Sequence, residues 1–431
     1  MTSTAFFTDH YELTMLEAAL ESGIAHTRAH FEVFARRLPL GRSYGVVCGT
    51  SRVAEAVDAF RFTSEMLTHL HDHRIVSQRT LEYLEGFRFT GDLLAYLDGE
   101  LYFPMSPVLR VAAPFGEALL LETIILSILN YDSAIASAAA RMRQVAKSKT
   151  LIEMGSRRTH EYAALAAARA AYICGFDSTS NLAAGMSYGI PTAGTSGHAL
   201  ILAHESEEQA FRAQATVLGS QTTALVDTYD VSDGIRTAIE VFGRGLNAVR
   251  IDSGELRLAA KDARALLDEL GATDTKIIVS GDLDEYQIQA LDSAPIDGFG
   301  IGTKLVTGSG YPTANFVYKL VAIENEHGTL RGVAKRSSEK TNSGLPKNAV
   351  RLIDEDGFAM EEWVHVADTQ ATASGTWRPL QRPLIHEGHV LELPTTHQLR
   401  DHHAKVMAEL RPRARTLLDG EPAIPLTEHF E

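Results

Sequence analysis

The stretch Ala248-Val-Arg-Ile-Asp-Ser-Gly254 decides the fold, because a short apolar strand ends there in a polar loop that contains glycine. The same order recurs in Lys276-Ile-Ile-Val-Ser-Gly-Asp282 and in Ile296-Asp-Gly-Phe-Gly-Ile-Gly-Thr303. Apolar residues at helical spacing follow the first two loops, over 256–270 and 283–291. Strand, loop and helix therefore alternate, which predicts βαβ units arranged around a parallel sheet.

Such units form either an open, doubly wound sheet or a barrel. A barrel gathers its functional loops at the carboxyl ends of the strands, where Asp, Ser, Gly, Thr and His residues fall in this chain. We therefore predict an α/β fold whose residues 131–330 form an irregular or incomplete (β/α) TIM-like barrel. Residues 1–130 are expected to form an N-terminal α+β domain. Residues 331–431 are expected to be a loop and helical segment that packs on the first two parts and completes the N-terminal domain.

Composition excludes several classes of function. The chain has 431 residues, with 40 basic and 55 acidic side chains and a net charge of −15, which argues against broad binding to nucleic acids or membrane surfaces. An anionic ligand would therefore need a local cationic pocket. Two cysteines, Cys48 and Cys174, support neither a disulfide framework nor a cysteine zinc site, and predict a reducing cytoplasm. Residues 1–20 lack the basic start of a signal peptide, and the apolar stretch 118–131 is too short to span a bilayer.

The stretch Gly189-Ile-Pro-Thr-Ala-Gly-Thr-Ser-Gly-His198 is a candidate functional loop. It has little side-chain bulk, so its backbone N–H groups can approach an anion. Its terminal histidine can accept a proton or a phosphoryl group. Most single histidines in such loops are ordinary polar residues, so the loop alone is a weak signal.

Basic residues stand at three places where an anion could bind. Arg157 and Arg158 follow the sequence Glu153-Met-Gly-Ser, and Arg250 lies inside an apolar strand. An arginine in a buried strand is costly unless it is paired, which favours a functional role for Arg250 over an ion pair to Asp252 as its sole purpose. The polar, basic loop 335–347 would matter only if it folds over the site.

Eight motifs, in order from about residue 8 to about residue 350, resemble those of nicotinate phosphoribosyltransferases. They are Thr8-Asp-His-Tyr-Glu-Leu-Thr-Met15, Phe31-Glu-Val-Phe-Ala-Arg-Arg-Leu-Pro39, Gly155-Ser-Arg-Arg158, Gly175-Phe-Asp-Ser-Thr-Ser-Asn181, Gly194-Thr-Ser-Gly-His198, Val226-Asp-Thr-Tyr-Asp230, Arg250-Ile-Asp-Ser-Gly254 and Gly300-Ile-Gly-Thr303. One such motif could arise by chance, whereas eight in the same order are specific.

The resemblance implies that nicotinate attacks C1 of phosphoribosyl pyrophosphate and gives nicotinate mononucleotide and pyrophosphate. This glycosyl transfer, of the ligase type, is coupled to hydrolysis of ATP to ADP and phosphate and begins NAD synthesis from nicotinate. Because the pyridine nitrogen needs no deprotonation, the enzyme has to place the reactants and stabilise charge. The resemblance also implies a homodimer with shared active sites, and Mg²⁺ carried largely by the substrate phosphates.

The resemblance also assigns roles to residues. His198 is expected to be the catalytic residue that ATP phosphorylates, and Thr195 is expected to line the nicotinate site. Arg250 is expected to bind the nicotinate carboxylate, for which a guanidinium has the right shape. Tyr11 is expected to close over the pyridine ring, acting from one protomer on the site of the other.

A second set of residues is expected to bind phosphate. The expected contacts to phosphoribosyl pyrophosphate or phosphate are Arg157, Arg158, Ser178, Ser253, Gly254, Gly281, Asp282, Gly300, Gly302 and Thr303. Asp252 and Asp282 are the expected metal ligands, and the alternative for both is a helix N-cap or turn.

Other interpretations of the sequence remain open. His204 lies close to His198, but only His198 has the matching distance from Gly194-Thr195. The substrate could instead be nicotinamide or quinolinate, although an arginine facing a carboxylate favours an acid and the quinolinate enzyme needs no phosphorylated histidine. A catalytically silent nucleotide-binding relative is a further alternative, but it should have lost His198, Arg250 or the loop 300–303.

Overall fold

The computed structural model describes residues 3–334, 344–367, 369, 375–417 and 420–429. The chain divides into two compact units. Residues 138–310 form the central unit, and residues 1–137 together with 311–431 form the discontinuous unit. This division lies at 137 and 310, whereas the predicted boundaries are at 130 and 330, and it groups residues 331–431 with the N-terminal residues.

Helices and strands alternate along the described residues. In chain order the α-helices are α1 His10–Glu21, α2 Thr50–Asp58, α3 Ser64–Asp72, α4 Gln78–Glu85, α5 Phe115–Leu119, α6 Glu122–Ala146, α7 Glu161–Ile173, α8 Leu182–Tyr188, α9 His198–Leu202, α10 Glu207–Leu218, α11 Val231–Phe242, α12 Leu256–Glu269, α13 Glu285–Ala290, α14 Thr303–Val306 and α15 Thr396–Ala408. The strands are β1 Arg28–Ala35, β2 Gly45–Val46, β3 Asp92–Tyr96, β4 Leu101–Tyr102, β5 Leu109–Pro114, β6 Thr150–Glu153, β7 Ser178–Thr179, β8 Thr223–Leu225, β9 Ala248–Ile251, β10 Lys276–Gly281, β11 Gly298–Ile301, β12 Phe316–Glu324, β13 Leu330–Gly332, β14 Lys347–Ile353, β15 Ala359–Val366, β16 Thr376–Pro379, β17 Gln381–His386, β18 His389–Val390 and β19 Leu426–His429.

The central unit contains a parallel sheet with the strand order β7-β6-β11-β10-β9-β8. Along the chain β6 is the first strand of this sheet and β11 is the last, and these two strands pair with each other. A single parallel bridge joins Thr179 of β7 to Thr192. Within the described residues no strand pairing joins Thr192 to β8, so the sheet is open at that place. The predicted α/β class and parallel sheet are confirmed.

The strands of this sheet are short and apolar because helices cover them. In β10 the residues Ile277, Ile278 and Val279 are buried, as expected for a parallel strand. The two predicted helices are confirmed as α12 and α13, and α12 buries Ala260 and Leu267 against the sheet side of the unit. The carboxyl ends of the parallel strands all meet at one edge of the sheet, where the polar loops follow.

The discontinuous unit is built on an antiparallel sheet with the order β13-β12-β1-β5-β3-β17-β18. A large hydrophobic cluster from this sheet and from α1, α2, α4, α5 and α6 forms its core. A second sheet has the order β16-β14-β15-β19. This unit therefore combines β-sheets and helices.

The C-terminal residues differ from the predicted loop and helical segment. Besides α15 they contain the strands β13 to β19. Residues 335–343 of the predicted basic loop lie outside the described residues, but Lys347 is described and begins β14. Its side chain is buried, with Nζ 2.6 Å from Glu32 Oε2. The prediction that Lys347 lies in a loop was wrong. The sequence could not show its burial in a strand, because its partner, Glu32, lies far away in sequence.

Helix α6 is the one described helix that is long and apolar enough to cross a membrane by length and composition. However, 72% of its most apolar window is buried inside the protein. Burial to this extent is typical of a core helix.

Candidate active site

Arg250 on β9 is the centre of a hydrogen-bond network at the carboxyl edge of the parallel sheet. Its side chain is 11% exposed. Its Nε donates to Ser280 Oγ at 2.7 Å, one Nη donates to Thr195 Oγ1 at 2.8 Å, and the other donates to Asp252 Oδ1 at 2.9 Å. The guanidinium is therefore held in one orientation. The alternative, an ion pair to Asp252, is present in the structure, and the predicted contact of Arg250 with the nicotinate carboxylate stays a prediction.

Asp252 follows β9 and accepts hydrogen bonds from both Arg250 and Ser280. Burial raises the pKa of this carboxyl group, but the hydrogen bond from Ser280, the charge and hydrogen bond of Arg250, and the nearby His198 outweigh burial. The net result is a pKa below its usual value. Asp252 is therefore ionised at neutral pH and balances part of the arginine charge.

His198 is the first residue of α9, and its imidazole is 40% exposed. Its Nδ1 lies 3.1 Å from Thr228 Oγ1. Its Nε2 faces two carboxylates, at 4.0 Å from Asp227 Oδ1 and 3.9 Å from Asp252 Oδ2. Two anionic oxygens on the same side favour the tautomer with the proton on Nε2, which leaves the lone pair on Nδ1.

Asp227 binds two residues of the loop after β9 and also faces His198. Its carboxylate is 2% exposed, and Oδ2 accepts the backbone N–H of Asp252 at 2.8 Å and the hydroxyl of Ser253 at 2.7 Å. Within the described part of the chain, Oδ1 has no hydrogen-bond partner and is left facing His198. Asp227 thus joins the loop after β8 to the loop after β9.

A cavity of about 380 Å³ opens beside Arg250. Its lining residues are Met154, Arg157, Arg158, Arg250, Asp252, Ser280, Gly281, Asp282, Gly300, Gly302 and Thr303. A Cβ at Gly300 would lie 2.7 Å from the sulfur of Met154, so any larger residue there would displace that side chain from the cavity wall. Three arginines and a loop of small residues give the cationic, accessible surface that a phosphorylated ligand needs.

Most of the predicted site residues come together, but some do not. Ser253 and Gly254 lie outside the cavity lining, with Ser253 bonded to Asp227. Ser178, in β7, also lies outside the cavity lining, so its predicted phosphate contact is not supported. The N-cap alternative for Asp252 and Asp282 is wrong, because Glu255 caps α12 and Asp284 caps α13.

Tyr11 lies on α1 in the discontinuous unit, and its side chain is exposed. Partial burial, together with the charges of Glu122 and Glu12 and a hydrogen bond with Glu122, raises the pKa of its hydroxyl to about 12. Tyr11 therefore remains a neutral phenol at physiological pH. Its predicted contact with the pyridine ring stays a prediction.

No role was predicted for several residues of this site, although Asp227 and Thr228 lie in the motif Val226-Asp-Thr-Tyr-Asp230. Asp227 and Thr228 support His198, Ser280 holds Arg250 and Asp252, and Met154 lines the cavity. A signal for Asp227 was present, since it follows the short apolar run before it just as Asp252 follows β9. Met154 carries no polar group, so no chemical pattern could have identified it.

The site contains few possible metal ligands. Among the described residues, no group of three or more His, Cys, Asp or Glu side chains is placed to hold a metal ion. Asp282 is exposed on the cavity wall, whereas Asp252 already binds Arg250 and Ser280. Such a set fits a cation that arrives with substrate phosphates and takes one or two protein carboxylates.

These features define an α/β enzyme that binds phosphorylated small molecules. A model of the nicotinate phosphoribosyltransferase (NAPRTase) N-terminal domain matches residues 6–130, and a model of the NAPRTase family matches residues 150–370. The chain belongs to the nicotinate phosphoribosyltransferase family. It is a phosphoribosyltransferase of NAD synthesis from nicotinate.

Individual proteins similar to this chain are nicotinate phosphoribosyltransferases too. Nicotinate phosphoribosyltransferase pncB1 of Mycobacterium tuberculosis is 50% identical over 426 residues, which cover 97% of this chain and 94% of that protein. The nicotinate phosphoribosyltransferase of Bacillus subtilis is 42% identical over 380 residues, covering 85% of this chain and 77% of that one. The crystal structure of human nicotinic acid phosphoribosyltransferase superposes with a TM-score of 0.84 at 25% identity, covering 98% of this chain and 97% of the human one.

Proposed function

We propose that this enzyme joins nicotinate to phosphoribosyl pyrophosphate, and that it couples this step to ATP hydrolysis through phosphorylation of His198. The observation that carries the proposal is the fixed guanidinium of Arg250 in a cavity that also presents Arg157 and Arg158. One arginine suits a carboxylate and the other two suit phosphates. An acidic pyridine and a polyphosphate are the substrates that this arrangement favours.

In the transfer step the pyridine nitrogen forms a bond to C1 of the ribose while the bond from C1 to the pyrophosphate oxygen breaks. Arg250 and Thr195 orient nicotinate, so that its nitrogen points at C1. Arg157, Arg158 and the small residues of the loop 300–303 offset the charge that grows on pyrophosphate. No protein base is needed, because the pyridine nitrogen already carries its lone pair.

Mg²⁺ would neutralise part of the charge on the polyphosphates when it is bound. Asp282 is the residue that fits it best, because its carboxylate is exposed on the cavity wall. Asp252 is the second candidate, with one oxygen already engaged by Arg250 and Ser280.

In the coupling step His198 Nδ1 would attack the γ-phosphorus of ATP. The bond from that phosphorus to the bridging oxygen breaks, ADP leaves, and a phosphorus–nitrogen bond forms. Asp227 and Asp252 lie on the Nε2 side of the ring, which favours the tautomer with its proton on Nε2 and leaves the lone pair of Nδ1 for the attack. Water later hydrolyses the phosphohistidine to give phosphate and free His198.

The proposal extends to architecture and location. The cyclic strand order of the central unit, with β11 beside β6 and an opening after Thr192, supports an incomplete (β/α) barrel. Both cysteines, Cys48 and Cys174, are buried and outside any disulfide, which supports a reducing cytoplasm as the location.

The first test is product formation from phosphoribosyl pyrophosphate and Mg²⁺ with nicotinate, nicotinamide or quinolinate, each with and without ATP. We expect nicotinate mononucleotide as the main product, formed faster with ATP. We expect at least about a tenfold lower kcat/KM for nicotinamide, because the amide cannot form an ion pair with Arg250. Liquid chromatography of the products measures this. Equal rates with nicotinamide, or no product from any pyridine, would overturn the proposed substrate.

A homodimer is supported by exposed apolar side chains on two helices. Leu182 and Met186, one turn apart on α8, are 77% and 86% exposed, and Tyr11 and Met15 are one turn apart on α1. Isolated apolar residues are common on surfaces, whereas contiguous exposed apolar patches mark interfaces. We propose that both helices contribute to the dimer, with Tyr11 serving the site of the other protomer.

Substituting Met186→Glu should shift the enzyme from dimer to monomer, because a charge would be buried against the second protomer. Light scattering after size-exclusion chromatography measures the mass. Leu258→Glu on α12 provides a control at another exposed apolar residue and should leave the mass unchanged. A wild-type enzyme that is already monomeric at micromolar concentration would contradict the proposal.

A further inference from the structure

A buried carboxylate connects two loops of the central unit. Glu153 ends β6 and is 1% exposed. Its Oε1 accepts the backbone N–H of Gly155 at 2.5 Å, and its Oε2 accepts the hydroxyl of Thr179 at 2.5 Å. Because Thr179 ends β7, one side chain holds the starts of two neighbouring loops.

The same two loops are joined a second time. Thr179 Oγ1 accepts the backbone N–H of Asn181 at 3.0 Å, and the side-chain amide of Asn181 donates to Ser156 Oγ at 3.0 Å. Ser156 is bonded through the backbone to Gly155, so the contacts form a closed circuit. A circuit of this kind restricts both loops more than any single hydrogen bond would.

The loop after β6 is also held on its other side. A Cβ at Gly155 would lie 2.1 Å from Val306 Cγ1, so this glycine packs directly against α14. The backbone N–H of Arg158 donates to the carbonyl of Gly155 at 2.8 Å and closes a tight turn. The loop that leaves Glu153 therefore reaches the cavity in a defined conformation, and it presents Arg157 and Arg158 there.

These contacts require both side-chain oxygens of residue 153 to accept a hydrogen bond. The amide of Gly155 can only donate, and the hydroxyl of Thr179, which accepts from Asn181, donates its own proton to Oε2. Burial raises the pKa of Glu153, while its two hydrogen bonds oppose that rise. A buried carboxylate among neutral donors is costly to the fold, which indicates a purpose beyond packing.

We infer that Glu153 is a positioning residue, which sets the loop carrying Arg157 and Arg158 for the phosphate groups of phosphoribosyl pyrophosphate. This inference rests on the proposed function. Glu153 itself contacts no substrate, because its carboxylate is enclosed by its own loop and that of Thr179.

The variant Glu153→Gln tests the inference, because its amide has one acceptor oxygen and cannot accept from both Gly155 and Thr179. We expect the KM for phosphoribosyl pyrophosphate to rise about tenfold, the effect of one lost hydrogen bond to a charged group. The KM for nicotinate should change less than twofold. Thr179→Val should raise this KM to the same extent, whereas Thr179→Ser, which keeps the hydroxyl, should keep the wild-type KM. The double variant Glu153→Gln with Thr179→Val should have a KM close to that of either single variant.

Glu117→Gln is the matched control. Glu117 is a buried carboxylate of the discontinuous unit, and it accepts the N–H of Thr90 at 2.7 Å and its hydroxyl at 2.9 Å. Both variants should lower the unfolding temperature, but only Glu153→Gln should change the KM for phosphoribosyl pyrophosphate. An unchanged KM, or an equal rise in the control, would overturn the inference. A wild-type enzyme that does not bind phosphoribosyl pyrophosphate in calorimetry would instead overturn the proposed function, and this inference with it.

Discussion

The variant His198→Ala should form no phosphoenzyme, and ATP should no longer stimulate its reaction. The imidazole that Thr228, Asp227 and Asp252 surround is the proposed nucleophile, and alanine offers no atom that could take a phosphoryl group. We expect the ATP-stimulated part of kcat/KM to fall roughly 100-fold or more, a loss of about 2.7 kcal/mol of transition-state stabilisation. Incorporation of radioactive phosphate from labelled ATP, together with rates with and without ATP, measures both quantities.

His204→Ala is the matched control, because this second histidine lies six residues further along the same segment. Its Nδ1 is bonded to the carbonyl of Leu200 at 2.7 Å, a local contact within the turn that ends α9. The control should keep both phosphorylation and ATP stimulation. Equal loss of phosphorylation in both variants would show that the assignment of His198 is wrong.

The variant Arg250→Ala should raise the KM for nicotinate by about 100-fold or more. Truncating one member of a buried, hydrogen-bonded charge pair costs roughly 2–5 kcal/mol, and each ~1.4 kcal/mol is a factor of ten in binding. The loss should be selective for the acid, so the preference for nicotinate over nicotinamide should shrink by a similar factor. Steady-state kinetics with both pyridines measure this.

Arg250→Lys should recover little of the loss, because an ammonium group cannot reach Thr195, Ser280 and Asp252 together in the way a planar guanidinium does. Arg212→Ala is the control, since that arginine lies on the surface of α10 in an ion pair with Glu208. It should behave as wild type. Nicotinate selectivity that survives in Arg250→Ala would place the carboxylate elsewhere.

The central unit could be predicted from the sequence because its signals are local. Buried parallel strands give short apolar runs, and the loops that follow carry glycine and polar residues within a few positions. The same logic placed Arg250, Gly281, Gly300, Gly302 and Thr303 at one edge of the sheet, and the structure brings them together around one cavity.

The C-terminal strands could not be predicted in this way because charged side chains are buried in them. Arg351 in β14 pairs with Glu100 and with Glu362 of β15, and Lys347 pairs with Glu32. In sequence these residues look like a polar surface. Only the three-dimensional arrangement supplies the opposite charges that make their burial possible.

The candidate site was incompletely predicted for a related reason. Ser280 and Thr228 are ordinary hydroxyl residues whose roles depend on Arg250 and His198 lying beside them. Conversely, Ser178 matched a motif and yet lies outside the cavity lining. A motif gives the order of residues along the chain, whereas the direction of each side chain depends on the strand that carries it.

The division into a central and a discontinuous unit also bears on the order of folding during synthesis. In the antiparallel sheet, Ala29 of β1 pairs with Ile323 of β12, so the ribosome must release most of the chain before this pairing can form. The central unit is continuous in sequence and has all its strands available earlier. Strand β1 can pair with β5 early, but its edge towards β12 must stay unpaired while the middle of the chain folds.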